Sequence, residues 1–177
     1  MGDIFKVILP KPIEAGDKIR ICGQIANDAT EFSINFANET DACPDNITYH
    51  FKWNLLNHQI TENYKYNGEW MEENNIDYNS LDGRLTKHLT FNDSLSNGFN
   101  VNTNTSTDAF INSILGTIFA LEFAFQDNTI YVYLVDGEGR NFITQYNTDY
   151  EFGLCDIQSL QVWGDVEKVR ELTFTYD

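Results

Sequence analysis

The chain has 177 residues, of which 42% are hydrophobic and 14% aromatic, enough to fill the core of one large domain and to exclude disorder along the whole length. Its 27 acidic and 11 basic side chains give a formal net charge of −16. That surface repels phosphate backbones and anionic lipid, which excludes nucleic acid and membrane surfaces as partners and disfavours phosphorylated or sulfated ligands. The acids are scattered rather than in runs, so their main effect is solubility.

Thirteen Phe and nine Tyr with only three Pro favour extended structure. Phe5 to Leu9 reads as a strand that ends at Pro10. Lys18 to Ile25 alternates Ile19, Ile21 and Gly23 against Lys18, Arg20 and Cys22. Asn27-Asp28 turns the chain into a strand from Glu31 to Phe36, with Phe32, Ile34 and Phe36 on one side and Ser33 and Asn35 on the other. From Thr48 the alternation is clean. Tyr49, Phe51, Trp53 and Leu55 point one way, and Thr48, His50, Lys52 and Asn54 point the other, which predicts a core face and a polar face. A hairpin around Asn57-His58 leads into Ile60 to Tyr66 and would put Asn63 on the polar face with His50. Asn67-Gly68 is a turn signal, and Trp70 begins a third strand beside the second.

Asn74 to Thr107 breaks the pattern. It is polar, rich in Asn, Ser, Thr and Asp, and reads as an insertion over about residues 75–108. Within it Arg84 to Phe91 resembles a strand and Asn92 to Asp108 a loop; Phe110 to Leu115 could form a turn of helix. Strands then recur at Ile118 to Phe125, Thr129 to Val135, Phe142 to Tyr146, Ile157 to Trp163 and Val169 to Tyr176. Gln126-Asp127-Asn128, Asp136-Gly137-Glu138-Gly139 and Gly164-Asp165 supply the turns. Short strands with no sustained helical period predict an all-β protein, an antiparallel two-sheet β-sandwich in one domain spanning 1–177.

Several function classes lose support here. Cys22, Cys43 and Cys155 have no metal-ligand spacing; Cys22 and Cys155 sit in strand-like segments and are expected to be buried thiols. His50, His58 and Cys43 do not make a zinc set. No secretory h-region and no membrane-length apolar run is seen, so a cytoplasmic location is expected. Sequons at Asn38, Asn46, Asn92 and Asn104 fit chance in an Asn-rich chain. No nucleophile elbow, no phosphate-cradling loop and no cofactor motif appears. A glycosidase needs two carboxylates facing across a cleft, whereas Glu69, Glu72, Glu73 and Asp77 crowd one segment. The chain is therefore expected to be no enzyme. What remains is the chemistry of Thr48 to Glu73, where an imidazole, several amides, a carboxylate and an exposed tryptophan come close together. Those groups suit a neutral sugar, with hydroxyls to bond and an apolar ring face to stack.

The same residues resemble the galectins, the β-galactoside-binding lectins. Leu9-Pro10 and Gly16-Asp17-Lys18-Ile19-Arg20-Ile21-Cys22-Gly23 are similar to the family's opening strands, and Phe32-Ser33-Ile34-Asn35-Phe36 to its third. Gly116-Thr117-Ile118-Phe119 and Leu160-Gln161-Val162-Trp163-Gly164-Asp165-Val166 resemble its later strands and closing turn. The family carries His-x-Asn-Pro-Arg, an Asn on the next strand, then Trp-x-x-Glu-x-Arg. Here the first part is His50-Phe51-Lys52-Trp53-Asn54, the middle is Asn63, and the last is Trp70-Met71-Glu72-Glu73-Asn74-Asn75. The resemblance implies a jelly-roll sandwich whose partners are galactose-containing glycans, with no cofactor and no metal. It implies that His50 bonds the axial galactose 4-hydroxyl, Asn63 and Glu73 the 6-hydroxyl, and that Trp70 stacks on the ring. It also implies a monomer or homodimer, cytoplasmic or exported by a non-classical route. The departure is the motif arginine, replaced by Asn54, which donates at most two bonds and carries no charge. Lys52, at the motif Asn position, could approach Glu73 only as a flexible point charge. Losing a few hydrogen bonds at about 1 kcal/mol each weakens a site tenfold or more. Two readings stay open: a lectin with a diverged site, and a galectin-fold protein-interaction module that has lost sugar binding.

Overall fold

Alternation along short segments turns this chain into two sheets that face each other. The computed structural model describes residues 5–77, 117–136, 139–148 and 150–177. Seven strands form one sheet: β1 (Phe5–Ile8), β3 (Glu31–Ala37), β4 (Ile47–Asn54), β5 (Gln59–Tyr66), β6 (Glu69–Trp70), β7 (Asn74–Asp77) and β11 (Ser159–Gly164). Their order is β1-β11-β3-β4-β5-β6, and β7 also pairs with β5. The second sheet runs β10-β9-β8-β2-β12, made of β2 (Lys18–Ile25), β8 (Thr117–Gln126), β9 (Thr129–Asp136), β10 (Gly139–Asn147) and β12 (Val166–Thr175). Every described pairing is antiparallel.

The inward positions are those that alternation marks. Ile19, Ile21 and Ile25 of β2, Phe32, Ile34 and Phe36 of β3, and Tyr49, Phe51 and Trp53 of β4 are buried with Phe119, Leu121, Phe123 and Phe125 of β8. Aromatic rings close the gap between the sheets. Phe32 stacks on Phe119 at 4.7 Å, and Phe36 meets Phe123 edge-on at 5.0 Å. Each such ring removes enough apolar surface from water to stabilise the fold by about 1.5–3 kcal/mol.

The predicted strands are found, with instructive differences. The expected third strand of the Thr48–Glu73 region is interrupted. β6 and β7 both pair with β5, through Lys65↔Trp70 and Thr61↔Asn75, and Met71 to Glu73 run between them. Pairing therefore continues to Asp77, past the expected start of the insertion near residue 75. The expected strand at Arg84 to Phe91, the loop from Asn92 and the helical turn at Phe110 to Leu115 lie outside the described residues. The thiols are corrected outright. Cys22 is half-buried because it shares the outward side of β2 with Lys18 and Arg20, and Cys155 is exposed in a 3-10 turn, Leu154–Asp156, ahead of β11. That turn is closed by the Gly153 N–H donating to Asp156 Oδ2 at 2.8 Å. Among the sequons, Asn38 is buried and its side-chain N–H donates to Thr48 Oγ1 at 2.8 Å, leaving no room for a glycan there.

Turns shape the polar face. Asn67 and Gly68 have φ of 50° and 84°, both in the left-handed region that a tight hairpin needs. His58, at φ 52°, closes the β4–β5 hairpin, and the Asn57 N–H donates to Asn54 Oδ1 at 2.9 Å. Gly164, at φ 91°, ends β11 where a Cβ would lie 2.7 Å from the Glu31 carbonyl oxygen. The following Asp165 accepts from the Thr30 N–H at 2.7 Å and the Glu31 N–H at 3.2 Å, which holds its carboxyl below its ordinary range.

Candidate functional site

The outward positions of β3, β4 and β5 line up in rows because the registers match. Asn35 lies beside His50, and His50 beside Asn63. In the next row are Ser33, Lys52 and Thr61, continued by Asn75 on β7. The third row holds Glu31, Asn54 and Gln59. On the far side β11 adds Gln161 next to Asn35 and Trp163 next to Ser33. An open groove of about 500 Å³ lies over these rows. His50, Lys52, Asn54, Asn63, Trp70 and Glu73, the six residues singled out in the sequence, all line it.

His50 sits at the centre. It is buried, unlike the solvated imidazole that a polar face suggests, because two tryptophans flank it. Ring centroids lie 4.6 Å away at Trp70 and 6.5 Å away at Trp163. Its Nδ1 is 2.5 Å from Asn35 Oδ1. A carboxamide oxygen only accepts, so Nδ1 carries the proton and Nε2 is left as an acceptor. The Asn35 amide is oriented in turn by donating to Ser33 Oγ at 3.2 Å. Burial, with a smaller contribution from the Lys52 cation, holds the imidazole pKa down to about 3. The ring is therefore neutral at neutral pH and presents a lone pair.

Asn63 is also buried. Its side-chain N–H reaches the Met71 carbonyl at 3.5 Å, and its Oδ1 has no hydrogen-bond partner among the described residues. An orphaned buried acceptor costs about 1–3 kcal/mol, so this oxygen is poised for a donor. Trp70 is 45% exposed and offers its indole face, with Lys65 Nζ 5.7 Å from the ring on a bond to the Pro44 carbonyl.

The other end of the groove is different. Lys52 Nζ pairs with Glu31 at 2.8 Å across the strand, so the approach to Glu73 considered from the sequence gives way to a nearer carboxylate. Asn54 Oδ1 is taken by the hairpin. The Thr61 hydroxyl donates to Asn75 Oδ1 at 2.6 Å. Glu73 stands exposed at the rim. Sequence reasoning missed Glu31, Asn35, Ser33, Thr61, Gln59 and Trp163. The available signal for Trp163 was alternation in Leu160-Gln161-Val162-Trp163, which puts an aromatic on the polar side. Its indole N–H is tied to Gln161 Oε1 at 3.0 Å, so only its face is open.

A smaller hollow of about 400 Å³ lies on the other sheet beside Tyr131, Tyr133 and Arg140. Arg140 is engaged internally, with Glu122 at 2.8 Å and over the Tyr133 ring at 4.4 Å. Among the described residues no group of three His, Cys, Asp or Glu side chains is placed to hold a metal, and no helix is long and apolar enough to cross a membrane.

A two-sided groove on one sheet of a jelly-roll sandwich, with tryptophan faces and convergent amides, is the arrangement of a lectin. The chain matches the model of the galactoside-binding lectin family over residues 4–174 and belongs to that family. No curated protein sequence matches it. Among solved structures it is similar to chicken galectin 2, at 17% identity and a TM-score of 0.63, covering 97% of this chain and 98% of that one. Sheep galectin-11 in complex with glycerol aligns at 14% identity and 0.64, covering 99% of both chains. A toad ovary galectin in complex with thio-digalactose aligns at 16% and 0.62, covering 99% and 100%. At such identities the likeness speaks for the fold.

Proposed function

We propose that this protein is a non-catalytic, metal-independent lectin for neutral glycans of the β-galactoside type, with a diverged site. The observation that carries the reading is the trio of His50, Asn63 and Trp70. Two acceptors, the His50 Nε2 lone pair and the buried, unpartnered Asn63 Oδ1, stand beside an exposed indole face. A pyranose meets those needs at once: its hydroxyls donate to the two acceptors and its apolar C–H face covers Trp70. The charges disfavour an anionic ligand, because Glu31 and Glu73 outnumber Lys52 in the groove while His50 is uncharged. Glu73 would accept from a hydroxyl at the rim. Lys52 and Asn54 contribute less, since each is already bonded within the protein.

Family membership supports the non-enzyme reading. So does the site, because a glycosidase acid needs a carboxyl kept protonated by burial, and Glu73 is exposed. The cytosol, with export by a non-classical route, is the location that family membership suggests.

Titrating lactose into isotope-labelled protein tests the reading, alongside a glycan array. Shifts at His50, Asn63 and the Trp70 indole at millimolar lactose are expected. No shifts there and no array hits would remove the sugar reading. They would favour a protein-interaction module on the galectin fold, which the internal Lys52–Glu31 pair already makes the second choice. A pull-down that depends on the 78–107 segment and ignores Trp70→Ala would identify that alternative.

A further inference from the structure

Glu62 neighbours Asn63 on β5 but points the opposite way, between the sheets, where it is fully buried. Three donors from three elements converge on it. The Tyr49 hydroxyl of β4 donates to Oε1 at 2.6 Å. The Asn74 side-chain N–H of β7 and the Thr144 hydroxyl of β10 donate to Oε2 at 3.0 and 3.1 Å. These partners are all neutral. Burial pushes the Glu62 carboxyl up, and the bonds from Tyr49, Thr144 and Asn74 pull it back. A buried carboxylate without a cation is a costly way to fill a core, and an apolar side chain would fill it more cheaply. The position of Asn74 indicates what the carboxylate does. Asn74 lies between Glu73 and Asn75, which line the groove, yet its own side chain turns inward to Glu62.

We propose that Glu62 is a positioning residue for the groove: through Asn74 it moors the segment from Trp70 to Asn75, holding Trp70 and Glu73 beside His50 and Asn63. Its effect on affinity rests on the sugar reading; the mooring itself does not. Losing a hydrogen bond to a buried acceptor loosens a short edge strand by up to about tenfold. The rest of the attachment is the β5–β6 pairing at Trp70, the Met71 N–H to the Tyr64 carbonyl at 3.0 Å, the long Asn63 bond to the Met71 carbonyl at 3.5 Å, the Thr61–Asn75 bond and the β5–β7 ladder.

The test uses the full chain with Asn74→Ala, Glu62→Gln and Glu62→Leu. Amide hydrogen exchange over residues 71–77 is read without sugar, and lactose affinity is read by NMR titration. Asn74→Ala removes one of the three donors to Glu62 at an exposed residue and leaves the buried side chain in place, so it is the milder change and keeps the test open where Glu62→Leu does not fold. Exchange in that segment should rise about tenfold in Asn74→Ala and lactose affinity should fall several-fold, while amides of β3 and β4 keep their protection. Glu62→Gln keeps an oxygen for Asn74 and should preserve most of the wild-type behaviour; Glu62→Leu should match Asn74→Ala. Unchanged exchange in Asn74→Ala would overturn the proposal, because the backbone ladder alone would then hold the rim. If the wild type ignores both lactose and the glycan array but Asn74→Ala still loosens the segment, the sugar reading falls and the mooring stands.

Discussion

The two ends of the groove share three strands and differ in how their polar groups are spent. At the Trp70 end, His50 and Asn63 are held in place by neighbours, and Asn63 Oδ1 is buried with no donor among the described residues. At the Glu31 end, Lys52 and Glu31 neutralise each other, and Asn54 is committed to its own hairpin. A ligand gains at the first end by satisfying the Asn63 oxygen, which burial has already deprived of water. At the second end it must displace existing bonds, so the net gain is small. Preorganisation, more than the number of polar residues, separates the two.

The sharpest way to break this contrast is Trp70→Ala. It should lower lactose affinity at least about tenfold, by removing the stacking surface, and leave stability nearly unchanged because the ring is half in water. Calorimetric titration beside a thermal melt reads both. A destabilised fold with intact binding would place Trp70 in a structural role.

His50 gives the next effect, in the pH dependence of stability. Its folded pKa, about 3, lies below the ordinary histidine value of 6.5. Between those values the unfolded chain takes up a proton that the folded protein refuses. Stability from this group is therefore complete above about pH 6.5 and drains away as the pH falls toward 3, by a few kcal/mol in all. Glu62 acts in the opposite direction. Its raised pKa means its neutral-pH cost is relieved as the pH falls through that raised value, which offsets part of the loss. Urea unfolding of wild type and His50→Gln at about pH 7 and about pH 4.5 checks the sign: the variant should lose less stability on acidification.

Lys52→Ala carries the smallest expected effect. An exposed ion pair contributes about 0–1 kcal/mol, so both stability and lactose affinity should change by less than about fivefold. A large loss of binding would mean that Lys52 leaves Glu31 to meet the ligand, and the contrast between the two ends would fail.

Much of this was legible in the chain. Period-two alternation in Lys18 to Ile25, Glu31 to Phe36 and Thr48 to Trp53 marked the buried face of those three strands, since a strand has only two sides. A short hairpin put Asn63 opposite His50, and the Asn-Gly turn brought Trp70 back beside the second strand. The errors came where local pattern and tertiary context part. Apolar surroundings suggested that Cys155 was buried, but a capped turn exposes it. Alternation put His50 on the polar face, and only the fold shows that two indoles flank it there.

By itself the sequence determined the sandwich, its core and the hairpin-linked set of His50, Asn63 and Trp70, because alternation and turn chemistry act over a few residues. Only the tertiary structure decided which nitrogen of His50 faces the groove, that Glu31 claims Lys52, and that Trp163 forms the second wall. Asn35, Glu31 and Trp163 reach His50 and Lys52 through strand pairings between segments far apart in the chain. Such pairings depend on which faces the whole fold can bury at once, and no local window contains that information.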